Sequence, residues 1–236
     1  MAFDDMFRVE TGSSNQQIRI EPIQQRSAAR LSALLDAAAE VVDEVGFDRI
    51  TTAMVAERAG ASIGTVYRYY PDRVAVLNAL RDRADQRFRE RVVLELDISE
   101  PETWWDALDC AITAYVGLYR SEPGFRIMSF VDRERTAFGD DVDGGFFATR
   151  LARVLAVEYG LPGGPDLIFR LEVALEIADG IITRAFYSDP QGDERYINES
   201  RRVVHDYMVG YYGPSASVSA PHTQSPAVSA LARVAG

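Results

Sequence analysis

The 236-residue sequence predicts an all-α fold in two unequal parts, a small N-terminal unit and a longer helical bundle. Three observations carry that expectation. Apolar residues recur at the i, i+3, i+4, i+7 spacing of amphipathic helices in one segment after another. Between Thr51 and Arg73, in TTAMVAERAGASIGTVYRYYPDR, two short helical segments flank a turn containing Gly60, and Pro71 stops the second. From Pro101 the composition shifts to aromatic and apolar helical stripes, enough to furnish a second core.

Composition narrows the classes further. Hydrophobic residues make up 47% of the chain, an ordinary share for a globular protein. The single cysteine, Cys110, excludes an internal disulfide framework and fits a reducing compartment. No stretch approaches the roughly 18 consecutive apolar residues of a membrane span, and the acids Asp4, Asp5, Glu10 and Glu21 argue against a secretory leader, so a cytoplasmic location with no membrane partner is expected. The net charge of −11 is unevenly spread. Residues 1–25 carry −2, residues 26–73 carry −1 and the remainder −8, while Arg49 to Arg73 holds four arginines against two acids. A locally positive unit on an acidic body would meet DNA with that unit foremost.

Taken in order, residues 1–25 lack periodicity and read as a flexible arm. The arm either drops Arg19 or Arg26 into a minor groove or has no role of its own. Helix one is expected over Ser27 to Val45, with Leu31, Leu34, Leu35, Ala38, Val41, Val42 and Val45 on its apolar face and Gly46 closing it. Glu40, Asp43 and Glu44 fall on the other side and read as a solvated face.

The next two helices carry the chemistry. Val55, Ala56 and Ala59 give the first an apolar stripe, Gly60 ends it, and Ser62 can cap the second. Two short helices joined by such a turn form a helix-turn-helix, whose second helix enters the DNA major groove. In that helix, Gly64 allows close approach of backbone to DNA. Thr65, Tyr67 and Tyr70 offer hydroxyls, and Arg68 and Arg73 offer charge, for phosphate oxygens. Ile63 can make only apolar contact, for instance with a thymine methyl.

The run G60-A61-S62-I63-G64-T65-V66-Y67-R68-Y69-Y70-P71-D72-R73 resembles the DNA-binding signature of TetR-family transcriptional regulators. G46-F47-D48 with T51-T52, and V55-A56 with A59-G60, fit the same pattern, so the likeness spans about Arg30 to Leu77. Ile63 replaces the basic or polar residue usual before the glycine, and Arg73 replaces the usual lysine. The resemblance implies DNA contacts from Thr51, Thr52, Ser62, Gly64, Thr65, Tyr67, Tyr70 and Arg73 on phosphates, with Ile63 and Arg68 discriminating bases. G60-A61-S62-I63-G64 also satisfies G-x-S-x-G, the elbow of serine hydrolases, but that elbow needs a preceding strand and a helical pattern precedes it here.

Helix four is expected from about Asp72 to Leu96, with a sparse stripe of Val74, Leu77, Ala84 and Phe88, which makes it a candidate transmission element. Pro101 to Arg120, Gly124 to Phe138 and Phe146 to Tyr159 follow as aromatic-rich helices. Trp104, Trp105, Leu108, Ile112, Tyr115, Phe125, Arg126, Phe130 and Phe147 are the candidate lining of an effector cavity, with Arg126 available to an anionic group. LPGGP, Leu161 to Pro165, is a loop without the lysine and hydroxyl of a phosphate-binding loop.

Asp166 to Tyr187 and Glu194 to Tyr212 close the bundle, and their apolar breadth suggests a partner surface. The resemblance identifies that partner as a second copy, with Leu171, Ala174, Ala178, Ile182, Val204, Tyr207, Met208 and Tyr211 as candidate interface residues. His205 and Asp206, neighbours on a helix, are expected to point apart, and no ligand spacing for a metal is present. Residues 213–236 are rich in Ser, Ala and Pro and read as a disordered tail.

The sequence thus divides into an arm (1–25), a helix-turn-helix DNA-binding domain (26–73), an effector-binding and dimerisation domain (74–212) and a tail (213–236). The leading expectation is a dimeric repressor, not an enzyme and without cofactor. It would bind double-stranded DNA at a palindromic operator and leave it when a small, largely apolar effector binds. The alternatives are a serine hydrolase and a helix-turn-helix regulator without an effector.

Overall fold

A computed structural model describes residues 21–125 and 147–214, with side chains from Ser27 onward. The expected helix after Gly124, with Arg126 and Phe130, lies almost wholly outside the described residues, as do residues 1–20 and most of the tail. The described residues form eight helices and no strand: α1 (Glu21–Val45), α2 (Thr52–Arg58), α3 (Ile63–Tyr69), α4 (Arg73–Ser99), α5 (Trp104–Ser121), α6 (Phe147–Tyr159), α7 (Pro165–Ala185) and α8 (Glu194–Tyr212).

The first helix begins six residues ahead of the expected Ser27. Pro22 sits in its opening turn, where its missing N–H would have had no partner in any case. Leu34, Ala38, Val41 and Val42 are buried along α1 and meet Ile50, Val55 and Val66 in one core. The three short turns that follow are fixed by side-chain caps. Thr51 accepts from the Met54 amide at 3.2 Å, Ser62 from Thr65 at 3.1 Å and Asp72 from Ala75 at 2.8 Å. Gly60, at φ +60°, makes the left-handed turn between α2 and α3.

The fourth helix is better anchored than its sequence suggests. Val76, Leu80, Ala84, Phe88, Val92 and Leu96 are all buried, a continuous stripe at four-residue steps. Its first half is tied to α1 by the Arg83–Asp36 ion pair, and Arg81 lies over the Phe47 ring at 4.9 Å. Its second half packs on α5, which begins with a reciprocal capping box between Thr103 and Asp106. One long helix therefore joins α1 to α5 within a single continuous core.

Among the described residues, helices α7 and α8 make the most extensive helix pair. Here the expected interface needs correction. Leu171, Ala174, Ala178, Ile182, Val204 and Met208 are 0–3% exposed, so they pack within the chain and are not a free face. Tyr207 is half-buried and Tyr211 is exposed. The most apolar stripe of each helix turns inward because that is where the most area leaves water. The outward line of α7 instead carries Phe169 and Gly180, which fall on one side at 100° per residue, and exposed Tyr187 follows just past its end. Among the described residues, no helix is long and apolar enough to cross a membrane.

Candidate nucleic-acid interface and bundle interior

Seven residues long, α3 divides cleanly into two faces. Val66 is fully buried against the core, whereas Ile63 is 42% and Tyr67 52% exposed. Ile63 and Tyr67 are four residues apart, as are Gly64 and Arg68, so the four form one outward surface. Gly64 has room: a Cβ there would meet only the Ser62 Oγ, at 3.9 Å. The Thr52 hydroxyl reaches the Tyr67 hydroxyl at 3.5 Å, linking α2 to the outward face of α3. An exposed isoleucine beside a glycine, a tyrosine and an arginine offers apolar, close-backbone, hydroxyl and cationic contact together, the set a major groove and its phosphates present.

Of the ten residues of the expected DNA surface, Thr52, Ile63, Gly64, Tyr67 and Arg68 meet there, and the other five carry qualifications. The Thr51 and Ser62 hydroxyls cap their helices, and Ser62 also lies 2.9 Å from the Thr65 hydroxyl. Arg73 donates to the Asp48 carbonyl at 2.6 Å and so spends one of its donors bracing the turn before α2. Tyr70 is the correction. It is 5% exposed and belongs to the core, and burial pushes its phenol up to about 12. A ring packed inside cannot also serve a phosphate, so Tyr70 is a packing residue. Tyr69, which no motif singles out, is half-buried and meets the Ser27 hydroxyl at 3.1 Å.

Arg58 holds the reading unit together from behind. It pairs with both Glu40 and Glu44 of α1, and those two bonds raise its pKa. Two of the acids expected on a solvated face are thus docking groups for α2. Ser62, centre of the G-x-S-x-G run, caps a helix that follows another helix, so the strand a hydrolase elbow requires is missing there.

The bundle interior splits the expected cavity lining in two. Phe88, Tyr115, Phe125 and Phe147 form one cluster, with Phe88–Phe147 centroids 4.9 Å and Tyr115–Phe125 centroids 5.4 Å apart. Trp104 and Trp105 stand elsewhere, packed on His205 of α8 at 6.3 and 4.8 Å. His205 also approaches Asp206, Nδ1 to Oδ1 at 3.3 Å, where divergence was expected. Leu108, Ile112 and Tyr115 line a seam with Ala174, Ala178 and Ile182 of about 10 Å³, roughly one water's worth of space. At its edge the Tyr115 hydroxyl donates to Asp179, and Tyr119 meets Thr183 at 3.2 Å, a polar cluster with no periodicity signal in the sequence. A wider cleft of about 380 Å³ near the α4–α5 turn is lined by Glu100, Glu102, Asp106, Asp109 and Cys110, whose thiol burial pushes up.

Comparison with known proteins matches these two regions separately. Residues 34–80 match the model for bacterial regulatory proteins of the tetR family, and residues 102–210 the model for a tetracyclin repressor-like C-terminal domain. A TetR-family transcriptional regulator from Streptomyces coelicolor is 35% identical, covering 76% of this chain and 97% of that one, with a TM-score of 0.64. The transcriptional regulator FadR from Bacillus subtilis, solved in complex with stearoyl-CoA, shares the fold at 22% identity and a TM-score of 0.58, covering 77% and 100% of the two chains. The fatty acid metabolism regulator protein of Bacillus subtilis (strain 168) is 29% identical over 96 residues, 41% of this chain and 48% of that protein. The match therefore spans about half the length of that curated relative.

Proposed function

Because the chain belongs to the TetR family of transcriptional regulators, we propose that it acts as a cytoplasmic homodimeric repressor. It reads a palindromic operator and leaves it when a small, largely apolar effector enters the bundle. The observation that carries the DNA-binding part is the outward face of α3, where Ile63, Gly64, Tyr67 and Arg68 stand clear while Val66 anchors the helix. Thr51, Thr52, Ser62, Thr65 and Arg73 flank that face as phosphate contacts, and Ile63 and Arg68 discriminate bases.

The effector reading draws on the aromatic supply around Tyr115 and on the likeness to a regulator crystallised with stearoyl-CoA. For release, the effector must favour the state that does not bind DNA, since a ligand moves an equilibrium only by its differential affinity. A second reading, a regulator with no small-molecule effector, has one observation in its favour: the seam along α5 is all but closed.

The experiment is selection of bound duplexes from a random DNA pool by the full-length protein at moderate salt. An enriched palindrome that the Tyr67→Phe protein binds roughly tenfold more weakly supports the repressor reading, and no enrichment from a folded dimer sinks it. Stearoyl-CoA is then added to the complex. Release together with a raised melting temperature supports the effector reading; neither effect, across acyl-CoAs of several chain lengths and a panel of uncharged apolar ligands, favours the second.

A further inference from the structure

Helix α5 ends in a tight loop, Glu122 to Phe125, that touches three elements at once. The carboxylate of Glu122 pairs with Arg87 of α4. Gly124 donates its backbone N–H to the Asp43 carboxylate of α1 at 3.0 Å. Phe125 is fully buried, edge-on to Tyr115 and Tyr119 at 5.4 and 5.5 Å. The Gly124 contact is made at close quarters: φ is +77°, and an added Cβ would lie 3.2 Å from both the Cα and the Cβ of Ala39. Glycine is needed here twice, for the left-handed backbone and for the approach to α1.

The far end of this contact is equally specific. Ala39 and Asp43 are one turn apart on α1, and beside them run Glu40 and Glu44, also one turn apart. The first pair receives the loop; the second holds Arg58 of α2. One turn of α1 is therefore gripped by the bundle on one stripe and by the reading unit on the next. We infer that the Glu122–Phe125 loop is the joint through which the aromatic cluster sets the position of α1, and with it α2 and α3, with Asp43 and Gly124 as positioning residues. The inference rests on the DNA-binding and sensing reading and adds a route distinct from α4. Phe125 and Gly124 are consecutive, so a ring displaced within the cluster moves the backbone that touches α1.

The test is a double-mutant cycle on the full-length protein, read as affinity for the selected duplex. Phe125→Leu perturbs the cluster, and Asp43→Ala removes the loop's acceptor from an exposed position on α1. Leu155→Ala, a buried change on α6, serves as the control for simple loss of stability. Phe125→Leu is expected to change the dissociation constant by about fivefold or more with Asp43 present and by less than about twofold with Asp43→Ala, while Leu155→Ala combines additively with Asp43→Ala. Equal effects of Phe125→Leu in both backgrounds, or the same non-additivity from Leu155→Ala, overturn the inference.

Amide hydrogen exchange over residues 40–46 reads the joint without DNA, so its outcome is independent of operator binding. Phe125→Leu should quicken exchange there by about fivefold only when Asp43 is present. Unchanged exchange overturns the inference even if the duplex selection succeeds, and a failed selection with this exchange pattern sinks the functional reading while the joint stands. Phe125→Met repeats both arms should the leucine variant fail to fold.

Discussion

Tyr67 and Tyr70 are three residues apart and have opposite fates. Tyr67 is exposed and Tyr70 is buried, because Tyr70 follows buried Val66 by four residues and shares its inward side, whereas Tyr67 follows exposed Ile63 by four. In the sequence the Tyr70 hydroxyl suggests a phosphate contact, although its four-residue spacing from Val66 already places it on that residue's side. Ile63, Gly64 and Arg68 were legible, because their spacing alone puts them on one face. Tyr67→Phe removes one hydroxyl from a charged partner and should weaken operator binding roughly tenfold whatever the half-site sequence, in a titration at fixed salt. Ile63→Gln should instead alter which base is preferred, seen as a changed consensus on repeating the selection. Arg73→Gln should lower the slope of log affinity against log salt by about 1, and Arg73→Lys should restore it. An unchanged slope would assign Arg73 wholly to bracing Asp48.

The short helices depend on their caps more than on their length. Helices of seven residues do not persist alone in water, so α3 needs both the Val66 anchor and the Ser62 cap. Ser62→Ala should cost about 1 kcal/mol, a fall of about 3 °C in melting temperature. Ser62→Asp separates the two roles of this side chain: aspartate caps as well as serine, yet adds a negative charge on the DNA side. It should melt like the wild type and bind the operator poorly; unimpaired binding would remove Ser62 from the contact surface. Element boundaries came largely from such signals, with α8 expected and found at Glu194 to Tyr212. What the signals miss is which apolar stripe faces a neighbour in the same chain and which faces another molecule. Hydrophobicity is the same in both cases. The interior stripe Leu171–Ala174–Ala178–Ile182 therefore looks like an interface in the sequence, and the acids of α1 look like idle surface.

At the scale of the whole molecule, the dimer we propose has to use what α7 and α8 leave outside. Phe169 is 51% and Tyr187 78% exposed on or just beyond α7, and Tyr196 38% exposed on α8. Gly180 of α7 and Gly210 of α8 sit within helices where a Cβ would meet nothing within 4 Å. A mid-helix glycine costs about 1 kcal/mol relative to alanine, and a second helix approaching closely at that point would offset it. Gly180→Arg fills the space with a charged side chain on an exposed helix face, so the monomer should keep its helicity and its core. Sedimentation should then show a monomer where the wild type is a dimer. The consequence for DNA follows from geometry: two readers spaced about 34 Å apart engage one palindrome, and binding of the second half-site is intramolecular. A monomeric variant forfeits that gain and should bind the full operator on the order of 100-fold more weakly, while its affinity for an isolated half-site matches that of the wild type. A Gly180→Arg protein that remains dimeric, or a monomer that binds the palindrome undiminished, would move the interface off this face.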